Sequence, residues 1–185
     1  MSEYPGKRLL DLLGAGAGAA LFAPVMAAIA TATWLEDGVP LLFLQRRLGQ
    51  DRTPFITFKL RTMRDQRVTH VGQWLRRTGL DEVPQFLNVC RGEMSLVGPR
   101  PLTPRDVERL GWTDPALDWR FRAKPGITGL SQLLAGRGAK ASRRLDRLYL
   151  RRQSLALDVQ LLALSFAANV LGKAAVRELL RRRKG

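Results

Sequence analysis

An uncharged apolar segment near the start of the chain limits what this sequence can fold into. Residues 12–35 carry no charged side chain, and these 24 residues would form a straight helix about 36 Å long. The hydrocarbon core of a bilayer is about 30 Å thick, so the segment is long enough to cross a membrane. Pro24 lies near its middle, and a proline inside a helix removes one hydrogen bond and favours a kink.

Three structures are consistent with this segment: a cleaved signal peptide, a single spanning helix, and a re-entrant helix that returns to the same face. The segment is longer than the roughly 7–15 apolar residues of a signal-peptide core, which argues against cleavage. Cations flank both ends, with Lys7 and Arg8 before the segment and Arg46, Arg47 and Arg52 after it. The positive-inside rule therefore favours neither orientation, and the residues alone leave the spanning and re-entrant forms equally open.

The remaining composition indicates a folded, basic protein. Hydrophobic residues make up 45% of the chain, which excludes a disordered basic tail. A single cysteine, Cys90, excludes a disulfide framework, and a single histidine, His70, excludes a metal site built on paired histidines. Lys and Arg total 31 against 16 Asp and Glu, a net charge of +15. This charge indicates a polyanionic partner, which could be nucleic acid, anionic lipid or a phosphorylated substrate.

The pattern of apolar residues predicts a mostly α-helical protein with a little β-structure. Residues 55–60 are a candidate strand, and residues 41–44 are either a strand or the end of the membrane segment. Residues 142–180 are predicted as helix with amphipathic and apolar portions, and a break at Gly172 stays open. The chain divides into a membrane segment, residues 1–38, and a compact basic domain, residues 39–185, with helices at the membrane interface.

One further helix is predicted just after an acidic pair. Val83, Phe86, Leu87 and Cys90 fall at positions i, i+3, i+4 and i+7, which place them on one face of a helix. We therefore expect all four side chains, including the cysteine, to face the core. Pro84 suits the first turn of such a helix.

The acidic pair is the strongest candidate for chemistry. Asp81 and Glu82 lie at the predicted helix start, with Arg76 and Arg77 upstream and Arg100 downstream. A purely structural interpretation makes Asp81 the helix N-cap and Glu82 a first-turn acid. The neighbouring arginines favour a different interpretation, in which the carboxylates bind Mg²⁺ and a substrate phosphate. A carboxylate can also attack phosphorus directly and form a covalent intermediate.

The sequence around this pair resembles a known family. DEVPQFLNVCRGEMSLVGPRP, residues 81–101, closely resembles the signature of bacterial sugar transferases, the monotopic phosphoglycosyl transferases. Four further segments resemble family motifs in the same order: KRLLD at 7–11, FKLRTM at 58–63, KPGITGL at 124–130 and SLALD at 154–158. The resemblance covers residues 5–175.

The resemblance implies an enzyme that transfers a sugar-1-phosphate from a UDP-sugar to polyprenyl phosphate, such as undecaprenyl phosphate. UMP would leave, and the product would begin a glycan on its lipid carrier. The family's membrane segment is re-entrant, so the resemblance favours a helix-break-helix and a monotopic protein in the bacterial inner membrane. Its active site would face the cytoplasm, anionic lipids would be partners, and a homo-oligomer stays open.

The resemblance also implies roles for particular residues. Asp81 would be the nucleophile and a ligand of Mg²⁺, and Glu82 would complete the catalytic dyad. The residues implied to contact phosphate or nucleotide are Arg100, Lys59, Arg61, Arg76 and Arg137. The bend of the membrane helix would fall at Ala23 and Pro24, where the family commonly has Ser-Pro.

A rival hypothesis is a non-catalytic, membrane-anchored basic module that binds nucleic acid or anionic lipid. The net charge of +15 favours it. The basic residues, however, are spread along the chain and do not form one strip interleaved with aromatic residues. We therefore expect no nucleic-acid partner.

Overall fold

A computed structural model describes residues 3–134 and 138–172. The α-helices in these residues are α1 Lys7–Asp37, α2 His70–Thr78, α3 Phe86–Arg91, α4 Pro104–Arg109, α5 Leu130–Leu134, α6 Ala139–Arg152 and α7 Leu155–Leu171. The strands are β1 Leu42–Leu48, β2 Pro54–Leu60, β3 Met63–Arg64, β4 Arg67–Val68, β5 Ser95–Val97 and β6 Gly126–Thr128. Short 3₁₀ helices lie at Gln50–Arg52, Leu80–Gln85 and Pro115–Arg120. The predicted fold class, mostly α with a little β, is confirmed.

Helix α1 contains the apolar segment. It is long and apolar enough to cross a membrane over Lys7–Glu36. Its helical backbone continues through Ala23 and Pro24 without interruption, so the predicted break is not confirmed. A proline removes one hydrogen bond from a helix, but the bonds on either side can hold the helix together.

One side of α1 packs closely on the rest of the protein. A Cβ added at Gly14 would lie 2.5 Å from Leu96 Cδ1, and one at Gly18 would lie 2.8 Å from Phe86 Cε2. These two glycines therefore allow the helix to approach its neighbours. Much of the remaining surface of the helix is apolar and exposed, and it includes Leu9, Leu13, Leu21 and Leu35.

Both ends of α1 are held by the same folded body. At its start, Lys7 Nζ lies 2.6 Å from Asp158 Oδ2 of α7. At its end, the Glu36 carboxylate accepts hydrogen bonds from the backbone N–H groups of His70 (2.9 Å) and Val71 (3.1 Å). Glu36 thus satisfies free donors at the start of α2.

The contact at the start of α1 belongs to a buried polar network. Lys7 is 3% exposed and Asp158 is fully buried. Lys7 Nζ also donates to the carbonyl of Val97 at 3.0 Å. The Tyr149 hydroxyl lies 2.9 Å from Asp158 Oδ1 and 3.0 Å from the same Val97 carbonyl. The network therefore joins α1, β5, α6 and α7.

The strands form three small two-stranded sheets. Strands β1 and β2 make an antiparallel hairpin, which confirms the strand predicted at 55–60 and the strand alternative for residues 41–44. Gln45 pairs with Thr57 across the hairpin, so their side chains lie on the same face. Side chains two residues apart along a strand also share a face, so Arg47, Thr57 and Lys59 lie on one face of the hairpin. Strands β5 and β6 pair in parallel, far apart in sequence.

The helix predicted over residues 83–90 begins later than its periodicity indicated. Cys90 is exposed and Leu87 is 53% exposed, so placing both in the core was wrong. Asn88 and Val89 are fully buried in their place. The backbone is 3₁₀ up to Gln85, and a 3₁₀ helix turns by about 120° per residue, so the α-helical phase changes at the junction.

The continuous helix predicted over residues 142–180 was also wrong. Helix α6 ends at Arg152, and α7 begins at Leu155. Ser154 caps α7, because its side chain accepts a hydrogen bond from the backbone N–H of Leu157 at 3.2 Å. The part of the prediction after residue 172 lies outside the described residues.

Replacing one partner of the buried pair is expected to destabilise the fold strongly. Lys7→Met leaves the Asp158 carboxylate buried without its cation, so the free energy of unfolding should fall by about 3–5 kcal/mol. Denaturant unfolding in detergent micelles measures this change. Arg109→Met is the matched control, because Arg109 is 67% exposed in its pair with Asp106. Its effect should stay below about 1 kcal/mol. Equal effects of the two substitutions would contradict the importance of the buried pair.

Candidate active site

A narrow cleft opens between the β1–β2 hairpin, the 3₁₀ helix Leu80–Gln85 and the parallel pair β5–β6. Its polar lining includes three cations, two amides and one carboxylate. The cations are Arg47, Lys59 and Arg100, the amides are Gln85 and Gln132, and the carboxylate is Glu82.

The acidic pair lies in the first turn of the 3₁₀ helix Leu80–Gln85. Gly79 precedes it in the left-handed conformation (φ 75°), ends α2 and redirects the chain. Gly79 therefore occupies the cap position, and no side chain caps this helix, so the structural interpretation of Asp81 as an N-cap is wrong. Glu82 turns toward the hairpin, where its Oε1 lies 2.5 Å from Lys59 Nζ.

Asp81 is partly buried beside this ion pair. Burial raises the pKa of its carboxyl above the usual value, and the negative charge of Glu82 raises it further. Lys59 and Arg76 lower the same pKa, but the net shift remains upward. Arg76 is oriented by a hydrogen bond from its Nε to Thr62 Oγ1 at 2.9 Å. Asp81 is therefore a partly buried carboxyl group with an acidic neighbour, Glu82, and two cations close to it.

Arg47 and Arg100 lie close together and form one wall of the cleft. Arg47 is only 8% exposed, and its guanidinium donates to the Pro101 carbonyl and to Gln45 Oε1. Burial lowers the pKa of Arg47, and the nearby positive charge of Arg100 lowers it further. Arg100 itself is exposed. Two like charges in one wall are stabilised by an anion, so the cleft is suited to phosphate groups.

Backbone packing between two glycine-containing loops sets the position of Arg100. A Cβ on Gly126 would lie 2.0 Å from the Gly98 nitrogen, and one on Gly129 would lie 2.1 Å from the Gly98 oxygen. The two loops also exchange hydrogen bonds, with Gly98 N–H donating to the Thr128 carbonyl at 2.9 Å. Side chains would separate the loops, so glycine is required at this contact.

The structure brings together most of the residues predicted for the site. Lys59, Glu82 and Arg100 line the cleft, and Asp81 and Arg76 lie beside them. Their roles in binding and catalysis stay predictions.

Two further predicted residues are not part of this arrangement. Arg61 donates from Nη2 to the Gly38 carbonyl at 2.9 Å, at the end of α1, and is not among the cleft residues of the described chain. Arg137 lies outside the described residues.

Sequence reasoning missed three side chains of the cleft: Arg47, Gln85 and Gln132. Arg47 had been considered only as a cation flanking the membrane segment. The register of the hairpin is what places it on the face of Lys59. Gln85 lies within the string that carried the resemblance and could have been found there.

The family model for bacterial sugar transferases matches residues 2–172 of the chain. The chain belongs to the bacterial sugar transferase family. It is 41% identical over 167 residues to the UDP-glucose:undecaprenyl-phosphate glucose-1-phosphate transferase of Caulobacter vibrioides, covering 83% of this chain and 61% of the relative.

Two other relatives show that the family resemblance is broad. A UDP-glucose:undecaprenyl-phosphate glucose-1-phosphate transferase of Escherichia coli is 36% identical, over 91% of this chain and 41% of its own length. A UDP-N-acetylgalactosamine-undecaprenyl-phosphate N-acetylgalactosaminephosphotransferase of Aeromonas hydrophila is 37% identical, over 83% of this chain and 41% of its own. The chain thus spans about two fifths to three fifths of the length of these relatives.

A side chain at the glycine contact is expected to disrupt the cleft. Gly126→Ala would force the two loops apart, because its Cβ meets backbone that cannot move away alone. We expect a lower melting temperature and a loss of the activity proposed below, measured by thermal unfolding and product release. Gly16→Ala is the control, since a Cβ at Gly16 meets nothing within 4 Å. A fully active Gly126→Ala protein would contradict this account of the loops.

The raised pKa of Asp81 predicts that its charged form lowers the stability of the fold, and that this effect depends on pH. A carboxyl whose pKa is higher in the folded state than in the unfolded state binds protons more tightly when folded. Its contribution to stability is therefore lost as pH rises through the folded pKa. Asp81→Asn should raise the melting temperature at pH 7–8, and the difference should shrink as the pH is lowered toward 4. A variant that is less stable than the wild type at neutral pH would contradict the upward shift.

Proposed function

We propose that this protein is a phosphoglycosyl transferase that moves a sugar-1-phosphate from a UDP-sugar to undecaprenyl phosphate and releases UMP. The observation that carries the proposal is the acidic pair of Asp81 and Glu82 beside a cleft lined by cations. Membership of the family supports it, and the relatives' names specify UDP-sugars and undecaprenyl phosphate.

In the first step, a carboxylate oxygen of Asp81 attacks the β-phosphorus of the UDP-sugar. A bond forms between this oxygen and phosphorus, and the bond to the oxygen that bridges the two phosphates breaks. UMP leaves with that electron pair, and the sugar-phosphate stays on Asp81 as an acyl phosphate. Lys59, Arg76 and Arg100 offset the charge that develops on the phosphates.

In the second step, an oxygen of undecaprenyl phosphate attacks the same phosphorus. The bond between phosphorus and the Asp81 oxygen breaks, which restores the carboxylate and yields the lipid-linked sugar diphosphate. Glu82 would accept a proton from the lipid phosphate when it arrives as the monoanion. Its ion pair with Lys59 holds the Glu82 carboxylate at the cleft.

The residues of the cleft fit the proposed Mg²⁺. Asp81 and Glu82 would supply two carboxylates, and within residues 3–134 and 138–172 no group of three or more acidic, His or Cys side chains forms a cage. Mg²⁺ usually takes one or two carboxylates together with substrate phosphate oxygens. When bound, it would neutralise part of the diphosphate charge.

We also propose that α1 lies in the bacterial inner membrane as a monotopic element, with the cleft facing the cytoplasm. Both ends of α1 contact one folded body through Lys7 and Glu36, which favours a position of both ends on the same side of the membrane. The apolar outer side of α1 would face the lipid tails, and the net charge of +15 would attract anionic headgroups.

Product release tests this function. The protein in nanodiscs is incubated with Mg²⁺, undecaprenyl phosphate and a panel of UDP-sugars that includes UDP-glucose and UDP-N-acetylgalactosamine. We expect UMP with at least one donor, and Asp81→Asn should reduce the rate by on the order of 10³-fold or more. Asp65→Asn is the matched control, because Asp65 has a 92% exposed side chain.

Omitting the lipid phosphate isolates the first step. With donor and Mg²⁺ alone, we expect one UMP per protein and a mass increase equal to one sugar-phosphate, absent in Asp81→Asn. UMP release that always requires the lipid, without such an adduct, would remove Asp81 as nucleophile. No UMP from folded protein with any donor would overturn the proposed function. Salt-dependent binding of nucleic acid would then test the basic-module hypothesis.

A further inference from the structure

Gln85 is the unusual side chain of the cleft. It is 2% exposed and lines the cleft, yet its Nε2 has no hydrogen-bond acceptor among the described residues. A buried amide donor without an acceptor destabilises a fold, so such groups are rare and require an explanation. The position of Gln85 in the cleft suggests that a bound ligand supplies the acceptor.

Other buried or cleft amides have their partners within the protein. Gln132 donates from Nε2 to the Gly126 carbonyl at 3.2 Å. Asn88, fully buried one turn after Gln85, donates from Nδ2 to the Ile56 carbonyl and to Glu93 Oε2, both at 2.7 Å. Its Oδ1 accepts from the Phe58 backbone N–H at 3.2 Å. Gln85 is thus the cleft-lining residue among the described ones whose buried side-chain donor has no acceptor.

The charges around Gln85 indicate which acceptor fits. Arg47, Arg100 and Lys59 line the same cleft, and Glu82 is already paired with Lys59. An anionic oxygen is stabilised by these cations more strongly than a neutral carbonyl would be. A phosphoryl oxygen therefore satisfies both the unpaired amide and the excess positive charge.

Gln85 also lies on the element that carries the proposed nucleophile. It ends the 3₁₀ helix whose first turn contains Asp81 and Glu82. A phosphate held by Gln85 and the Arg47–Arg100 wall would be fixed relative to Asp81 by a short, rigid stretch of backbone. Such a contact orients the phosphorus for attack without taking part in bond making.

We propose that Gln85 donates a hydrogen bond to a phosphoryl oxygen of the donor's diphosphate and so positions it against Asp81. This inference rests on the proposed function for its substrate. It makes Gln85 a substrate-positioning residue, whose main effect is on binding.

The test measures both thermal stability and donor binding, because the proposal predicts that loss of the Gln85 amide weakens binding without lowering stability. Gln85→Leu removes an unpaired buried donor, so the melting temperature should stay the same or rise. The KM for the UDP-sugar should increase by on the order of 10- to 100-fold, with a smaller change in kcat. Gln85→Glu keeps the shape but presents an acceptor, and should raise KM further. Gln50→Leu is the control, since Gln50 bonds the Arg122 carbonyl at the surface.

A purely structural role for Gln85 predicts the reverse. A lower melting temperature of Gln85→Leu with an unchanged KM would overturn the proposal, and so would a Gln85→Glu protein that binds donor as tightly as the wild type. If Gln85→Leu does not fold, the comparison of Gln85→Glu with wild type still decides between the two roles.

Binding of inorganic pyrophosphate separates this inference from the proposed function. Pyrophosphate with Mg²⁺ should raise the melting temperature of the wild type and of Gln50→Leu, and should do so much less for Gln85→Leu. Equal stabilisation of all three proteins, or of none, overturns the role of Gln85. Pyrophosphate binding that depends on Gln85, in a protein that releases no UMP, would instead retain the anion site and reject the transferase.

Discussion

The buried ion pair between Lys7 and Asp158 is the interaction on which the rest of the structure depends. Two charges removed from water are costly, and they are tolerated here because each is hydrogen-bonded to further buried groups, the Val97 carbonyl and the Tyr149 hydroxyl. These contacts come from four different elements. The apolar helix is therefore built into the folded body and is not a detachable anchor, although its outer side is covered with exposed leucines.

The same network is continuous with the cleft. Val97, whose carbonyl accepts from Lys7, ends β5 and is followed directly by Gly98, Pro99 and Arg100. Close packing of Gly98 on Gly126 then fixes the direction in which Arg100 leaves the sheet. A short covalent path thus connects the start of the membrane helix to a cation of the cleft. We interpret this as the reason that the family motifs, dispersed in the sequence, meet in one region of the fold.

Much of the site, and less of the fold, could be predicted from the sequence. The acidic pair and Lys59 can be identified from a contiguous string and a short motif, and the strand at residues 55–60 from its alternation of side chains. The face of α3 that is buried could not be predicted, because the chain changes from a 3₁₀ helix to an α-helix at Gln85. A search for apolar residues with a 3.6-residue period does not detect this change. Arg47 required the register of the hairpin, and the unpaired amide of Gln85 required knowledge of every neighbouring acceptor. Both depend on tertiary packing, which local periodicity does not encode.

The two attachments of α1 differ in the length of chain that separates their partners, and this sets an order of assembly during synthesis. Glu36 meets its partner His70 after 34 residues, whereas Lys7 must wait 151 residues for Asp158. At 5–20 residues per second, the second interval lasts roughly 8–30 s on the ribosome. For that time the ammonium of Lys7 lacks its buried carboxylate, although the Val97 carbonyl is synthesised earlier, 90 residues after Lys7. Formation of the ion pair at the first turn of α1 is therefore a late event, in which α7 locks a segment that was translated much earlier.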